Sequence, residues 1–421
     1  MNVLLNFAWT RLVLTIAIAG GLATPVQAGY GPSLVFDANT GEVLVADRAG
    51  VSWYPASLTK LMTAYVTFRA IREGRLSLGQ KLTVSQFAAK RPPSKIGIGA
   101  GRTVTVDFAL KSILIHSAND MAVVLAEGIA GSVSQFAGQM NAQARRLGMT
   151  GSRFVNPHGL YNKNQVTTAR DMGVLASTIL LEFPQYRKYF NAPSLQVGKR
   201  RLKNRNKLMT RVAWIDGMKT GYLCASGFNL VASARVNGRR LVSVSLGATS
   251  GSGRDEYSKI LLEWGAKGAS RSSLRLARIR NIAGPAKNLT RQVCKKRQRI
   301  AWGKLQELGG WGVSLGEYKS AFTADAVLQG RVLISRQFLS RGKLGVFRSI
   351  QPRRYLAMLS QMQQSESLTL CNYLRRRNAF CEVMTPQTFA SYLAQRAVKK
   401  ASGNNHRPKQ NFNRRPATDT R

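Results

Sequence analysis

The chain has 421 residues, 44% of them hydrophobic, and carries 63 Lys+Arg against 19 Asp+Glu for a formal net charge of +44. This length exceeds one ordinary domain, and this apolar share excludes global disorder. The charge excludes indifference to polyanions, and it is spread along the chain: 30 Lys+Arg and 6 Asp+Glu fall in residues 271–421, the rest in the first 270.

The N-terminal run places Arg11 before an apolar stretch from Leu12 to Ala23 and ends in Val26-Gln27-Ala28, a small-x-small pattern. This predicts a secretory signal peptide over 1–28, cleaved after Ala28, and hence an exported protein of the periplasm or cell wall. The apolar stretch is shorter than the roughly 20 residues that span a bilayer. Export makes acidic envelope polymers the expected polyanionic partners. No nucleic-acid-binding motif is present, so no nucleic acid is expected.

Residues 32–47 alternate apolar and polar around Asn39-Thr40-Gly41, which predicts a β-hairpin. The next segment has Leu58, Leu61, Met62, Tyr65 and Val66 at helical spacing and stops at Gly74. Residues 106–130 read as two helices broken at Ser117–Asp120, and further helices follow at 133–148 and 167–183. Three strands with turns or bends at Gly221, Gly227 and Asn237-Gly238 are predicted over 215–248, and a helix closes the unit at 254–268. Strands at both ends with helices between them predict an α/β sheet domain over 29–270.

Residues 271–310 are basic and irregular and read as a linker. A smaller α+β unit is expected over 311–385. Its strand-like patches at 311–318 and 341–350 each precede a helical pattern, at 320–335 and 353–377, and a strand at 379–384 ends it. The tail, 386–421, is polar and basic and reads as disordered, with 386–400 a poor amphipathic helix. Of the four cysteines, Cys371 and Cys381 lie in one small region and are the preferred disulfide; Cys224 is read as a residue that alters access or a reactive thiol. Neither cysteine spacing nor the three histidines suggest a metal site, and no cofactor is expected.

Chemistry enters at Ser57-Leu58-Thr59-Lys60. Serine and lysine at i, i+3 share one side of a helix, and the serine falls in the first turn, where N–H groups favour developing negative charge. A serine needs a neighbouring base, and a lysine serves once burial and nearby cations lower its pKa. The spacing alone is weak, since Ser340 and Lys343 repeat it. Two further pieces follow in order: Ser117-Ala118-Asn119 at the helix break, and Lys219-Thr220-Gly221 on a predicted strand, where the glycine lets a substrate approach the edge.

SxxK, SxN and KTG in this order resemble the signature of penicillin-binding proteins and class A β-lactamases. With "FVNPHGLYN" (154–162), "TTARDMGVLA" (167–176) and "KTGYLCASGFNLVASA" (219–234), the region 31–267 resembles the serine-type D-alanyl-D-alanine carboxypeptidases. The resemblance implies a β-lactamase/transpeptidase-like fold, an antiparallel sheet flanked by helices. It implies peptidoglycan stem peptides as substrates and β-lactam antibiotics as acylating inhibitors. It implies Ser57 as nucleophile, Lys60 as base and Ser117 as proton relay to the leaving amine. Asn119 would bind the peptide amide, and Lys219 and Thr220 the terminal carboxylate, with Arg254 assisting. The N–H groups of Ser57 and Tyr222 would form the oxyanion hole, with Gly221 beside them. Leu223 departs from the family's threonine two past the glycine, which bears on substrate preference.

His158 in its Asn-Pro-x-Gly setting reads as a turn residue, and His116 as a packed or capping one. No Glu-x-x-Leu-Asn segment lies between Asn119 and Lys219, which weighs against a β-lactamase. A D-Ala cross-link endopeptidase and a non-catalytic basic envelope-binding protein remain alternatives. The C-terminal unit resembles SPOR modules, which bind glycan strands stripped of peptide stems, through "WGVSLGEYKSAFTADAVL" and "LCNYLRRRNAFCEVM".

Overall fold

The computed structural model describes residues 30–267, 273–295, 300 and 302–403; the expected signal peptide lies outside the described residues. The chain opens with β1 (Ser33–Asp37) and β2 (Val43–Asp47), a hairpin turned at the predicted Asn39–Gly41. A 3₁₀ turn, Ala56–Leu58, leads into α1 (Thr59–Arg72). Two short strands the sequence reading missed, β3 (Lys81–Thr83) and, past α2 (Gln86–Ala89), β4 (Thr103–Thr105), pair at one edge. Then come α3 (Val106–Lys111), a π-helical turn over Ser112–His116, α4 (Asn119–Ala130), α5 (Val133–Arg146), α6 (Ala169–Glu182) and α7 (Arg187–Asn191). A second missed hairpin, β5 (Ser194–Val197) and β6 (Arg200–Lys203), precedes the three predicted strands β7 (Ile215–Leu223), β8 (Gly227–Val236) and β9 (Arg239–Ala248). Helix α8 (Gly251–Ala266) closes the unit.

The main sheet runs β2-β1-β9-β8-β7, antiparallel throughout, so the N-terminal hairpin completes a sheet begun 180 residues later in the chain. Helix α8 packs on the sheet and α6 on β1 and β9, with α1 and α4 in the helical layer beyond. In α4 every residue from Asn119 to Ala126 is buried. A helix apolar around its whole circumference belongs in a core, and here α4 forms a rigid floor at whose N-terminus the Ser117 break sits. Among the described residues no single helix is long and apolar enough to cross a membrane.

Over residues 273–295 the stretch read as a linker is a strap on this unit, while 302–308 pack on the C-terminal unit, where Gly303 N–H donates to Val346 C=O and Leu308 is buried. Glu42 bridges to Arg275, Ile282 N–H donates to Gly50 C=O and Leu289 N–H to Ala225 C=O, while Leu276, Leu289 and Val293 are buried in the main core. Isolated apolar residues among many cations hid this from a composition argument. A disulfide joins Cys294 of the strap to Cys224, so Cys224 is not a free thiol.

The C-terminal unit holds β10 (Trp311–Tyr318), α9 (Ala321–Ile334), β11 (Lys343–Arg348), β12 (Tyr355–Met362), α10 (Gln364–Arg375), β13 (Glu382–Met384) and α11 (Pro386–Gly403). Its sheet order is β11-β12-β10-β13, all antiparallel. The helix predicted over 353–377 is a strand followed by a helix. Ala357 and Leu359 of β12 face the α9/α10 cluster while Met358 packs in the second cluster with Phe389 and Tyr392, so both faces are covered and no polar alternation marks the strand. The start of the tail read as disordered is α11, anchored by Phe389 and Tyr392 against Phe347, Met358 and Met384; residues 404–421 lie outside the described residues. The preferred Cys371–Cys381 disulfide is present. Ile260 of α8 joins the cluster under α9, and Arg377 covers the Trp264 and Tyr373 rings, which joins the two units.

Candidate active site

The turn carrying Ser57 is clamped on three sides. A Cβ at Gly159 would lie 1.9 Å from Ala56 O, and one at Gly221 would lie 2.9 Å from Pro55 O and 3.2 Å from Ser57 N. These two glycines let the 154–162 segment and strand β7 approach a backbone that any side chain would push away. From β8, Asn229 Nδ2 donates to Tyr54 O (3.0 Å) and Pro55 O (3.3 Å). Ala56 itself holds a left-handed φ of +49°, fixed by these contacts.

Lys60, one turn into the helical run, is fully buried. Its Nζ lies 3.0 Å from Ser57 Oγ, 2.8 Å from Asn119 Oδ1 and 2.6 Å from His158 O. Burial, with the Lys219 charge added, holds the Lys60 ammonium well below an ordinary lysine's range, against a smaller opposing pull from Asp120. A neutral amine has two N–H groups and one lone pair. The two carbonyl acceptors take the N–H groups, and the lone pair is left for the Ser57 hydroxyl proton. This arrangement activates a serine.

Opposite stands a second buried lysine. Lys219 Nζ donates to Ser117 Oγ (2.9 Å) and Thr220 O (2.9 Å). Burial first, then Arg205 and Arg254, push its pKa down to about 7. Ser117 reaches this position because the π-helical turn ends in a left-handed residue, φ +68°, before α4 begins at Asn119. Asp120 fixes the facing wall: its carboxylate accepts from Ile96 N (2.9 Å) and Gly97 N (2.9 Å). Asn119 Nδ2 donates to Pro92 O (3.1 Å) on the same wall.

A cavity of about 930 Å³ brings together Ser57, Ser117, Asn119, Thr220, Gly221, Tyr222 and Arg254. Lys60 and Lys219 lie beneath it. Every residue predicted to be catalytic or substrate-binding therefore falls in one place. Arg254 is buried and gives Nε and Nη2 to Asp255 Oδ1 (2.9 and 2.6 Å), so its charge is partly matched. Arg205, which the sequence reading missed as one cation among many, lines the same cavity, is exposed, and donates to Ser94 Oγ (3.1 Å). Gly159, Asn229 and Asp120 were missed as well, although each sat in a segment already singled out: "FVNPHGLYN", "KTGYLCASGFNLVASA" and the break at Ser117–Asp120.

Tyr222 stacks on Phe228 (4.3 Å between ring centres) and its hydroxyl lies 3.2 Å from Cys294 Sγ. The Cys224–Cys294 bond thus closes the rim beside the β7 edge. His158 is a turn residue: its Nδ1 accepts from Leu160 N–H (3.1 Å), and burial with Lys60 and Arg91 nearby pushes its pKa down to about 3. The ring of His116 is held below its ordinary pKa by burial and Arg205, and its carbonyl accepts from Ser94 Oγ–H (3.0 Å). The second Ser-x-x-Lys spacing carries no such partners: Ser340 bonds Glu366, and Lys343 is exposed.

The family model of D-alanyl-D-alanine carboxypeptidases (peptidase S11) matches residues 23–250. The chain is 36% identical over 247 residues to the D-alanyl-D-alanine carboxypeptidase DacA of Haemophilus influenzae, an alignment covering 58% of this chain and 63% of that protein. It thus spans just under two thirds of that relative's length. The fold matches the crystal structure of penicillin binding protein 5 from Haemophilus influenzae with TM-score 0.55 and 35% identity, over 57% of this chain and 72% of that one. It matches ampicillin-bound penicillin-binding protein D2 from Listeria monocytogenes with TM-score 0.51 and 28% identity, over 57% of this chain and 99% of that one. The α/β fold with its antiparallel sheet and flanking helices is the one these structures share. The chain belongs to the D-alanyl-D-alanine carboxypeptidase family of serine peptidases.

Proposed function

We propose that this protein is a serine D-Ala-D-Ala carboxypeptidase that removes the terminal D-alanine from peptidoglycan stem peptides. The observation that carries it is the buried Lys60, whose Nζ lies 3.0 Å from Ser57 Oγ while Asn119 Oδ1 and His158 O take its other N–H bonds, so that the neutral amine accepts the Ser57 proton. Ser57 Oγ adds to the carbonyl carbon of the D-Ala-D-Ala bond while its proton passes to Lys60 Nζ. The N–H groups of Ser57 and Tyr222 stabilise the oxyanion. Ser117, held by Lys219, gives its hydroxyl proton to the leaving nitrogen and takes up the proton Lys60 received, which returns Lys60 to the neutral amine, and free D-alanine departs from an ester on Ser57. Water then adds to the ester with Lys60 as base and releases the shortened peptide. Lys219, Thr220 and Arg205 hold the terminal carboxylate, Arg254 adds positive field, and Asn119 meets the peptide amide.

β-Lactams mimic this substrate and acylate the same serine; the ampicillin-bound relative supports this reading. The expected export signal and the positive charge suit an envelope location among wall and surface polyanions. The C-terminal unit, with α9 and α10 packed against one face of a four-stranded sheet, is read as a SPOR-like module binding glycan strands. Labelling with a fluorescent penicillin tests the assignment. Wild type should be labelled and Ser57→Ala should not; equal labelling of both would refute it. Nitrocefin turnover faster than D-alanine release would point to a β-lactamase instead.

A further inference from the structure

A second cavity, about 800 Å³, lies wholly on the C-terminal unit, between the loop joining β11 to β12, Leu305 and the end of α11. Its wall carries Arg348, Arg353, Arg354, Arg396 and Lys399 and no acidic residue. Among the described residues none of these four arginines forms an ion pair. Like charges gathered around one hollow repel, and a bound anion resolves that repulsion.

The hollow is built rather than incidental. Ser349 N–H donates to Arg354 O (2.9 Å) and Gln351 N–H to Ser349 Oγ (3.0 Å), which closes the loop. Helix α11 pins it from the side: Tyr392 Oη (2.7 Å) and Arg396 Nη1 (2.6 Å) both donate to Arg348 O. Arg353 holds a left-handed φ of +56°. A turn needing only that backbone takes glycine or asparagine, so a charged side chain is kept there against the conformational preference. Ile350, Pro352 and Leu393 supply an apolar wall beneath the cations.

Four planar guanidiniums select oxyanions, carboxylate or phosphate, whose paired oxygens accept two N–H bonds at once. Charge density then chooses between carboxylate and phosphate. A phosphomonoester carries about −1.5 to −2 near neutral pH, a carboxylate only −1, and five cations share a space of headgroup size. We propose that this cavity binds a ligand presenting two or more phosphate groups, independently of the peptidase site.

The test is calorimetric titration of the full chain with tripolyphosphate at about 0.15 M salt, where diffuse surface charge is screened beyond about 8 Å. Two charge-matched variants are compared with wild type. Arg353→Gly with Arg354→Gln empties the loop of charge and relieves its backbone; Lys81→Ala with Lys90→Ala removes two exposed cations from the other unit. The loop variant should bind at least tenfold more weakly and the control within twofold of wild type, with penicillin labelling of Ser57 unchanged in all three. Equal loss in both variants, or no binding by wild type, overturns the proposal. Citrate binding as tightly as tripolyphosphate, with the same dependence on the loop, overturns the choice of phosphate. Phosphatidic acid vesicles that displace tripolyphosphate assign the groups to lipid; vesicles that do not assign them to a soluble or glycan-borne phosphate, and either result supports the cavity.

Discussion

Lys60 Nζ and Ser57 Oγ lie 3.0 Å apart, and the lysine's other two partners are both carbonyl oxygens. The hydroxyl proton therefore has one destination. Lys60→Arg keeps a long basic side chain but stays protonated, so it cannot receive that proton. Acylation by penicillin should fall by about 10²–10⁴-fold, the usual weight of a general base. Stopped-flow labelling measures this directly; an arginine variant within threefold of wild type would contradict the role.

The two lysines predict opposite pH limbs. Lys60 must be neutral, so acylation rises with pH through its depressed pKa and then stays flat. Lys219 must be charged to hold a carboxylate, and its pKa is about 7 in the free protein. As pH climbs past 7 its ammonium is lost, so KM for a carboxylate-bearing peptide should rise. A C-terminally amidated peptide should bind weakly and lack that limb. Steady-state profiles of both peptides check this, and an identical alkaline limb in the two would remove Lys219 from carboxylate binding.

Gly221→Ala places a methyl 2.9 Å from Pro55 O and 3.2 Å from Ser57 N. Backbone, not a flexible side chain, occupies that space, so β7 must retreat from the nucleophile turn. A displacement near 1 Å costs about 10²-fold in rate. The variant should show that loss in acylation while its circular dichroism is unchanged; full activity would mean β7 does not set the oxyanion geometry.

The Cys224–Cys294 disulfide closes a loop with sequence separation 70 and fastens the strap to the active-site rim. By chain entropy such a closure contributes up to about 4 kcal/mol. Cys294→Ser should lower the unfolding midpoint and, because Tyr222 loses its neighbour, raise KM several-fold with kcat little changed. A lowered midpoint with unchanged KM would make the bond purely structural.

Much of the site was legible in the sequence because it is built from short local patterns. Ser57 and Lys60 share one helical side, Ser117 and Asn119 flank one break, and Lys219 to Tyr222 form one strand edge. What escaped notice depends on contacts distant in sequence. Arg205 looks like any other cation until β6 and the loop after it bring it to Ser94. Asn229 reads as a polar residue in a strand until it is seen holding Tyr54 and Pro55. The strap was hidden because its three buried residues, Leu276, Leu289 and Val293, are spaced among charges. Strand β12 carries no period-two signal in the sequence because both its faces are buried.

Ser57 is proposed to hydrolyse the terminal D-Ala-D-Ala bond. Purified protein incubated with a mixture of pentapeptide monomers and cross-linked dimers, with products identified by mass, tests it most directly. Tetrapeptide monomers and free D-alanine are expected from wild type, and intact pentapeptide with Ser57→Ala. Pentapeptide left untouched by wild type, or cleavage confined to the cross-links, would contradict it.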